Sequence, residues 1–274
     1  MPEQNVTNPQ PGLTIIRADN AGPMTLDGTR TYIVGTSRVA LVDPGPVDVD
    51  HLGRIYAAVA GRQVATILLT HAHADHSGLA RETARALGAP VQASAETLER
   101  IGIEGIPVTD GELINPACDV SLVALRAPGH SSDHTIYFSE PGRWLFAGDL
   151  VLGQGSSAIL HPDGNVTACL SSLARLCALR PTNLLPGHGP PIEDGLGALE
   201  DYRAHRLERE DQIVRALTAG ASDVPTIREV VYGQLPDGLV WAAEASIAAH
   251  LAALSDAGYE VPEFDSYGVS IEKG

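Results

Sequence analysis

The sequence has almost no lysine: arginine provides 17 of its 18 cationic residues, and Lys273 is the exception. It contains 34 acidic residues, so the formal net charge is −16 over 274 residues, and no run of lysine and arginine interrupts this excess. A chain this negative repels phosphate backbones and anionic lipid headgroups. The composition therefore disfavours nucleic acid and membrane surfaces as partners.

Cysteine, aromatic residues and long apolar runs are also scarce. The three cysteines, Cys118, Cys169 and Cys177, form no CxxC pair, and an odd number without framework spacing is typical of a reducing compartment. Aromatic residues make up 4% of the chain, so platforms for stacking nucleic-acid bases are not evident. No run of about 18 apolar residues predicts a membrane span, and residues 1–12 lack the apolar segment of a signal peptide. We expect a soluble, cytoplasmic protein.

Short apolar runs separated by glycine, aspartate and asparagine occur over residues 13–44, and a pattern of short strands and helices extends from there to about residue 195. Runs such as 13–17 predict an N-terminal meander of strands, after which predicted strands and helices alternate. Beyond this point the pattern changes, and it predicts helices at 199–217, 227–232 and 240–254. A small hairpin is expected at 260–269. We therefore predict an α+β protein with one domain at residues 1–198 and a helical domain at residues 199–274.

The densest cluster of metal-ligating side chains directly follows a compact apolar run that predicts a buried strand. Residues 70–76 have the sequence THAHADH, which places three imidazoles and one carboxylate in six residues. The alternate residues His71 and His73 can face one metal ion, whereas Asp75 and His76 turn toward a neighbouring ion. Zinc prefers histidine nitrogen and carboxylate oxygen as ligands. The cluster therefore predicts a metal site.

Three further candidate ligands each follow a predicted strand directly after a glycine. They are His130 in Pro128-Gly129-His130, Asp149 in Gly148-Asp149, and His188 in Pro186-Gly187-His188. Glycine permits the tight backbone that directs the next side chain into a cleft. Each position is weak evidence alone, because a single polar residue at a strand end is usually a cap. Together with the cluster at 70–76 they strengthen the prediction of a metal site.

The motifs HAHADH, PGH, GD and PGH, in that order, resemble the metallo-β-lactamase superfamily of dinuclear zinc hydrolases. The resemblance implies an αββα sandwich with the site at one edge of its two sheets. It also implies two Zn²⁺ ions, with other divalent metals as alternatives. Its ligand sets would be His71, His73 and His130 for the first ion, Asp75, His76 and His188 for the second, and Asp149 as the bridge.

Two further segments resemble the lactamase-β-like protein 2 branch of this superfamily. They are residues 22–32, GPMTLDGTRTY, and residues 202–210, YRAHRLERE. This branch adds a small winged-helix-like domain after the sandwich, in line with the boundary predicted above. Arg30 departs from the pattern, because asparagine is usual at that position.

The resemblance implies hydrolysis by a hydroxide that bridges two metal ions, because metal binding lowers the pKa of bound water from 15.7 to about 7. Asp149 would hold both metals, and Asp75 would orient the hydroxide or transfer a proton. The preferred substrate is a small ester, thioester or lactone. The alternative is a metal-dependent endoribonuclease acting on single-stranded RNA, which the net charge disfavours. A role in binding a partner protein comes third, and the sequence leaves the oligomeric state open.

Four residues outside the ligand sets remain candidates for supporting the ligands or contacting substrate. Asp43, in a Val-Asp-Pro-Gly segment, is either a carboxylate beneath the metal loop or an ordinary turn residue. The other three are His205, Arg206 and Arg209. Together with Arg203, the last two fall three residues apart on one side of a predicted helix, where they could contact RNA. They could equally pair with acidic neighbours on a solvated surface.

Overall fold

The computed structural model describes residues 5–117 and 120–264, so Cys118 lies outside the described residues. The first sheet has seven strands, which follow one another across the sheet in chain order. They are β1 (Val6–Gln10), β2 (Leu13–Arg17), β3 (Arg30–Val34), β4 (Arg38–Val42), β5 (Gln63–Leu68), β6 (Val91–Ala93) and β7 (Ile106–Pro107). The first four strands pair antiparallel, and β4 to β7 pair parallel.

The second sheet has five strands in the order β12-β11-β10-β9-β8. They are β8 (Leu113–Ala117), β9 (Val120–Arg126), β10 (Thr135–Ser139), β11 (Trp144–Gly148) and β12 (Asn183–Pro186). The last pair, β11 and β12, is parallel, and the others are antiparallel. Parallel pairing at β4–β5 and at β11–β12 brings the carboxyl ends of neighbouring strands together. The segments that follow β5, β11 and β12 hold all the candidate ligands except His130, which follows β9.

Apart from a short helix that follows β5, the helices of the described residues lie on the outer faces of the two sheets or at the C-terminal side. The helices are α1 (Val49–Val59), α2 (Ala74–Ser77), α3 (Ala80–Leu87), α4 (Ala95–Ile101), α5 (Val166–Cys177), α6 (Gly195–Thr218), α7 (Val224–Tyr232) and α8 (Asp237–Asp256). One apolar cluster joins the first sheet to α1, α3 and α4. Another joins the second sheet to α5 and to parts of α6 and α8. A third fills the space between the sheets.

Strand β9 shows why this layering follows from the sequence. Successive side chains of a strand point to opposite faces of the sheet. Leu122 and Ala124 belong to the cluster between the two sheets, whereas Val123 and Leu125 contact the cluster that includes α5. Both faces of the strand are therefore covered by apolar layers. The αββα sandwich implied by the resemblance is confirmed.

The C-terminal helices connect to the sandwich and also form a small core of their own. Leu199, near the start of α6, belongs to the core beside the second sheet, whereas Ile213, Ile227 and Ile247 pack together among α6, α7 and α8. The predicted boundary at 198/199 falls inside α6. Within 187–264 the structure contains helices and no strand. The hairpin expected at 260–269 has no strand up to Phe264, and its remainder lies outside the described residues.

Helix α8 is long and apolar enough to cross a membrane by length and composition alone. In the structure 56% of its most apolar stretch is buried inside the protein. Ile247 and Leu251 are fully buried and pack in the cluster formed with α6 and α7. The core helix of a soluble protein passes the same test, so the apolar composition of α8 is accounted for by its packing.

Candidate metal centre

Three histidines from two loops form the first group of candidate ligands. His71 and His73 lie in the loop between β5 and α2, and His130 follows β9. The Nδ1 atom of His73 lies 2.9 Å from Nε2 of His71 and 3.1 Å from Nε2 of His130. Gly129 lets the chain reach this position, because a Cβ at that residue would lie 2.7 Å from the Cα and Cβ atoms of Cys169.

The second group consists of Asp75 and His76, both on α2, and His188, which follows β12. The Nε2 atom of His188 lies 3.1 Å from Oδ2 of Asp75 and 3.3 Å from Nε2 of His76. The distance from His76 Nε2 to Asp75 Oδ2 is 3.4 Å. The residues predicted as a second ligand set are therefore brought together, although Asp75 and His188 are far apart in the sequence.

Asp149, which follows β11, lies between the two groups. Its Oδ1 atom is 3.3 Å from Nε2 of His76, and its Oδ2 atom is 3.3 Å from Nε2 of His188. The same Oδ2 atom is 3.7 Å from Nε2 of His130. One carboxylate therefore faces nitrogen atoms of both groups, as the predicted bridging position requires.

Hydrogen bonds on the outer nitrogens set the tautomers of three of the histidines. The Thr70 hydroxyl donates to Asp43 and accepts from Nδ1 of His71, because it has a single hydrogen to give. Nδ1 of His76 donates to the Asp43 carboxylate, and Nδ1 of His130 donates to the Ala158 carbonyl. In the neutral form of each ring, Nε2 therefore keeps its lone pair, and it faces another candidate ligand of the same group.

The carboxylates and imidazoles of the two groups shift one another's pKa values. Burial would raise the pKa of Asp75, but His76 and His188 lower it to about 2. Burial would likewise lower the pKa of His188, but Asp149 and Asp75 raise it to about 9. In the first group, burial and the neighbouring His130 lower the pKa of His73 to about 4. A metal ion binds the neutral imidazole, so metal binding at His188 would displace a proton, whereas His73 is already neutral and Asp75 already ionised at pH 7.

The donor set fits two divalent metal ions. In each group, one ligand atom per residue lies within 4.8 Å of the others, with Asp149 counted in the first group. Two nitrogens bound tetrahedrally to one zinc ion are separated by about 3.3 Å. The observed spacings of 2.9 and 3.1 Å around His73 differ from this by only a few tenths of an ångström. The two groups, together with Asp149, constitute the candidate metal centre.

Asp43 supports both sides of the loop that holds the first ligands. Its Oδ1 atom accepts from the backbone N–H of Thr70, and its Oδ2 atom accepts from the Thr70 hydroxyl and from His76. Its backbone has a φ of +49°, a left-handed conformation that aspartate tolerates better than most residues. Asp43 therefore fixes the orientation of His76 directly and that of His71 through Thr70.

We expect Asp43→Asn to weaken metal binding by about 10- to 100-fold, the usual effect of losing a partner of a metal ligand. Three donors face the carboxylate, and the amide group of asparagine would set a donor against one of them. Competition with a chromophoric chelator measures the affinity. Asp50→Asn is the matched control, because Asp50 is exposed on α1. Wild-type affinity in the Asp43 variant would contradict the role.

The four residues predicted around the ligands have different surroundings. Asp43 contacts a ligand directly, as described. Arg206 is 3% exposed and donates to the backbone carbonyl of Ser157. Arg209 donates to the Val231 carbonyl, with its guanidinium 4.0 Å from the centroid of the Tyr232 ring. His205 and Arg203 are exposed. The three arginines therefore do not form one exposed row.

Sequence reasoning missed two hydroxyl side chains at the metal centre. The Thr70 hydroxyl joins Asp43 to His71, and the Thr29 hydroxyl donates to Oδ2 of Asp75 over a distance of 3.2 Å. Thr70 directly precedes the histidine cluster, and this position in the sequence could have identified it. Thr29 lies 46 residues before Asp75, and no local pattern marks it.

The comparisons with known proteins agree with this geometry. The sequence profile of the metallo-beta-lactamase superfamily matches residues 24–188, a segment that contains both groups of ligands. The chain belongs to the metallo-beta-lactamase superfamily of hydrolases.

Comparison with individual proteins relates the chain to particular members of this superfamily. It is 31% identical over 259 residues to the beta-lactamase-like protein 2 homolog of Drosophila melanogaster, covering 87% of this chain and 86% of that protein. It is 30% identical to the atrochrysone carboxyl ACP thioesterase dmxR1 of Cryptosporiopsis sp. (strain 8999), covering 79% and 66%. A crystal structure of a metallo-beta-lactamase family protein from Thermus thermophilus superposes with a TM-score of 0.75 at 25% identity, covering 91% and 95%. The predicted resemblance to the lactamase-β-like protein 2 branch is confirmed.

Proposed function

We propose that this protein is a dinuclear zinc hydrolase of a small ester, thioester or lactone. The observation that supports the proposal is the convergence of seven side chains on one space. Six of them form the two groups described above, and Asp149 faces both. When bound, two zinc ions supply an activated water molecule at neutral pH and polarise the substrate carbonyl.

The residues of the chain have distinct parts in this proposal. Asp149 would be a ligand shared by both metal ions, because its Oδ1 atom faces His76 of the second group and its Oδ2 atom faces both His188 of the second group and His130 of the first. Asp75 is 28% exposed at its side chain, whereas His76 and His188 are almost completely buried. Its side chain is therefore partly open to solvent, and its carboxylate would accept a hydrogen bond from the attacking water. The Thr29 hydroxyl donates to Oδ2 of the same carboxylate, the oxygen that also lies beside His76 and His188.

Charge around the centre supports a small substrate rather than RNA. Arg17 at the end of β2 and Arg30 at the start of β3 both pair with Asp27. Arg206 is buried and Arg209 stacks on a tyrosine. These guanidinium groups are already neutralised or engaged, so they offer little to a phosphate backbone, whose binding depends on several cationic contacts. The thioesterase named among the relatives has activity of the proposed class.

The experiment is a substrate panel with the zinc-loaded protein. It holds an acyl-glutathione thioester, a neutral aryl ester, a lactone, a β-lactam and single-stranded RNA. We expect turnover of a thioester, ester or lactone that changes by less than about twofold between about 50 and 200 mM salt, whereas RNA cleavage through several phosphate contacts would fall by about 1000-fold. A chelator should abolish turnover, and added zinc should restore it.

The Asp149→Ala variant controls for contaminating enzymes in every assay of the panel. RNA cleavage that is lost in this variant, with no turnover of the small substrates, would overturn the proposed substrate class. Metal analysis of the same preparations tests the cofactor, and two zinc ions per chain is the expected content. A preparation that is active with a single bound metal would contradict the dinuclear centre.

A further inference from the structure

His130 is oriented by the segment that contacts its outer nitrogen. Its Nδ1 atom lies 2.9 Å from the Ala158 carbonyl oxygen and 3.1 Å from the Ser157 hydroxyl. Since a carbonyl oxygen only accepts, Nδ1 donates to it, and Nε2 keeps the lone pair that faces His73. The position of residues 157 and 158 therefore determines where the His130 ring points.

Residues 152–157 form an irregular loop with an exposed middle and buried ends. Leu152 and Ser157 are 9% and 4% exposed, so their backbone N–H groups need partners inside the protein. Both groups donate to the same atom, the hydroxyl oxygen of Tyr202 on α6, over distances of 2.8 and 3.2 Å. One side chain of the C-terminal segment therefore closes the two ends of this loop.

Arg206 binds the backbone carbonyl of Ser157, whereas Tyr202 binds its backbone N–H. It lies four positions after Tyr202, so the two side chains project from the same face of α6. Its guanidinium donates to the Ser157 carbonyl. The N–H and the C=O of Ser157 are thus bound by two residues of one helix, while its hydroxyl lies beside His130.

We propose that Tyr202 and Arg206 are positioning residues for His130, acting through Ser157 and Ala158. The inference rests on the proposed function, because it takes His130 to be a metal ligand. It assigns the C-terminal helices a part in building the metal centre. It also gives Arg206 a role different from substrate binding, in line with the burial of its side chain.

The test measures metal binding by the full chain with Zn²⁺ and Co²⁺. We expect Tyr202→Phe and Arg206→Gln to weaken binding at one of the two sites by up to about 10-fold, the lower end of the effect of losing a direct partner of a metal ligand, because both residues act one contact further out. Both should change the visible absorption spectrum of the cobalt protein, which reports ligand geometry. Arg206→Lys keeps a cationic donor and should recover part of the affinity. Arg215→Gln, an exposed arginine of α6 paired with Asp211, is the matched control and should change neither quantity.

Tyr202→Phe keeps the buried ring and removes only the hydroxyl, so circular dichroism should show a folded protein even if an Arg206 variant fails to fold. His130→Ala is the reference for loss of the ligand itself. If His130→Ala loses a metal while Tyr202→Phe and Arg206→Gln bind both metals with wild-type affinity and spectrum, the positioning role is overturned and the proposed function stands. If His130→Ala binds both metals like the wild type, the ligand assignment fails, and this inference fails with it.

Discussion

Asp149→Asn is expected to abolish turnover and to reduce the bound metal from two ions per chain to one or fewer. Asp149 is the side chain whose two oxygens face nitrogens of both groups, His76 and His188 on one side and His130 on the other. An amide has no negative charge, and its NH₂ group cannot accept a metal ion. Because losing a partner of a ligand alone costs about 10- to 100-fold in metal affinity, we expect a loss above about 100-fold here.

Metal content after dialysis, measured by mass spectrometry, and turnover of the best substrate of the panel check this result. Asp211→Asn is the matched control, because that carboxylate forms an exposed pair with Arg215 on α6, and such pairs contribute little. The bridging assignment is wrong if the Asp149 variant retains both metals and wild-type turnover.

The ligands could be predicted from the sequence because each sits at a locally recognisable place. The segment 70–76 follows a buried strand, and His130, Asp149 and His188 each follow a glycine at the end of a strand. Metal ligands need particular side chains at fixed spacing, and this requirement leaves a pattern in the chain. The sandwich could be predicted from the same pattern through the resemblance it supports.

Other parts of the fold leave no such pattern. Strand β1, with the sequence VTNPQ, is mostly exposed at the edge of the first sheet and is held by backbone pairing with β2, so it lacks the apolar alternation that marks a strand. The glycine-containing stretch at 194–197 indicates a linker, yet α6 begins at Gly195. The Asp194 side chain caps this helix by accepting from the N–H of Gly197.

The long-range contacts around the metal centre could not be predicted from local sequence patterns either. Tyr202 and Arg206 belong to a segment that resembles the branch signature, but the sequence does not show which face of α6 turns toward residues 152–157. The buried face is set by tertiary packing, since a helix with charged residues on every side has no apolar stripe that identifies it. The link between α6 and His130 therefore emerges only from the three-dimensional structure.

Gly187→Ala tests the metal centre with the smallest possible change. A Cβ at this position would lie 2.4 Å from Cε1 of His76 and 2.5 Å from Oδ1 of Asp149. Gly187 does not have a positive φ, so alanine is compatible with its backbone and the effect comes from contact alone. Both ligands would have to move, and we expect the loss of one metal ion and of more than about 99% of turnover, because ligand displacements near 1 Å cost about 100-fold.

Thermal unfolding separates this local effect from general destabilisation. A metal that binds only the folded protein raises Tm by mass action, so we expect the difference in Tm between the zinc-loaded and chelator-treated forms to shrink in Gly187→Ala. Gly53→Ala is the matched control, because Gly53 lies in α1 with no atom within 4 Å of its added Cβ, and alanine favours a helix. It should keep the full metal-dependent difference. If zinc raises Tm equally in the wild type and in Gly187→Ala, His76 and Asp149 can move without loss of metal. That result would contradict a metal centre that depends on their observed positions.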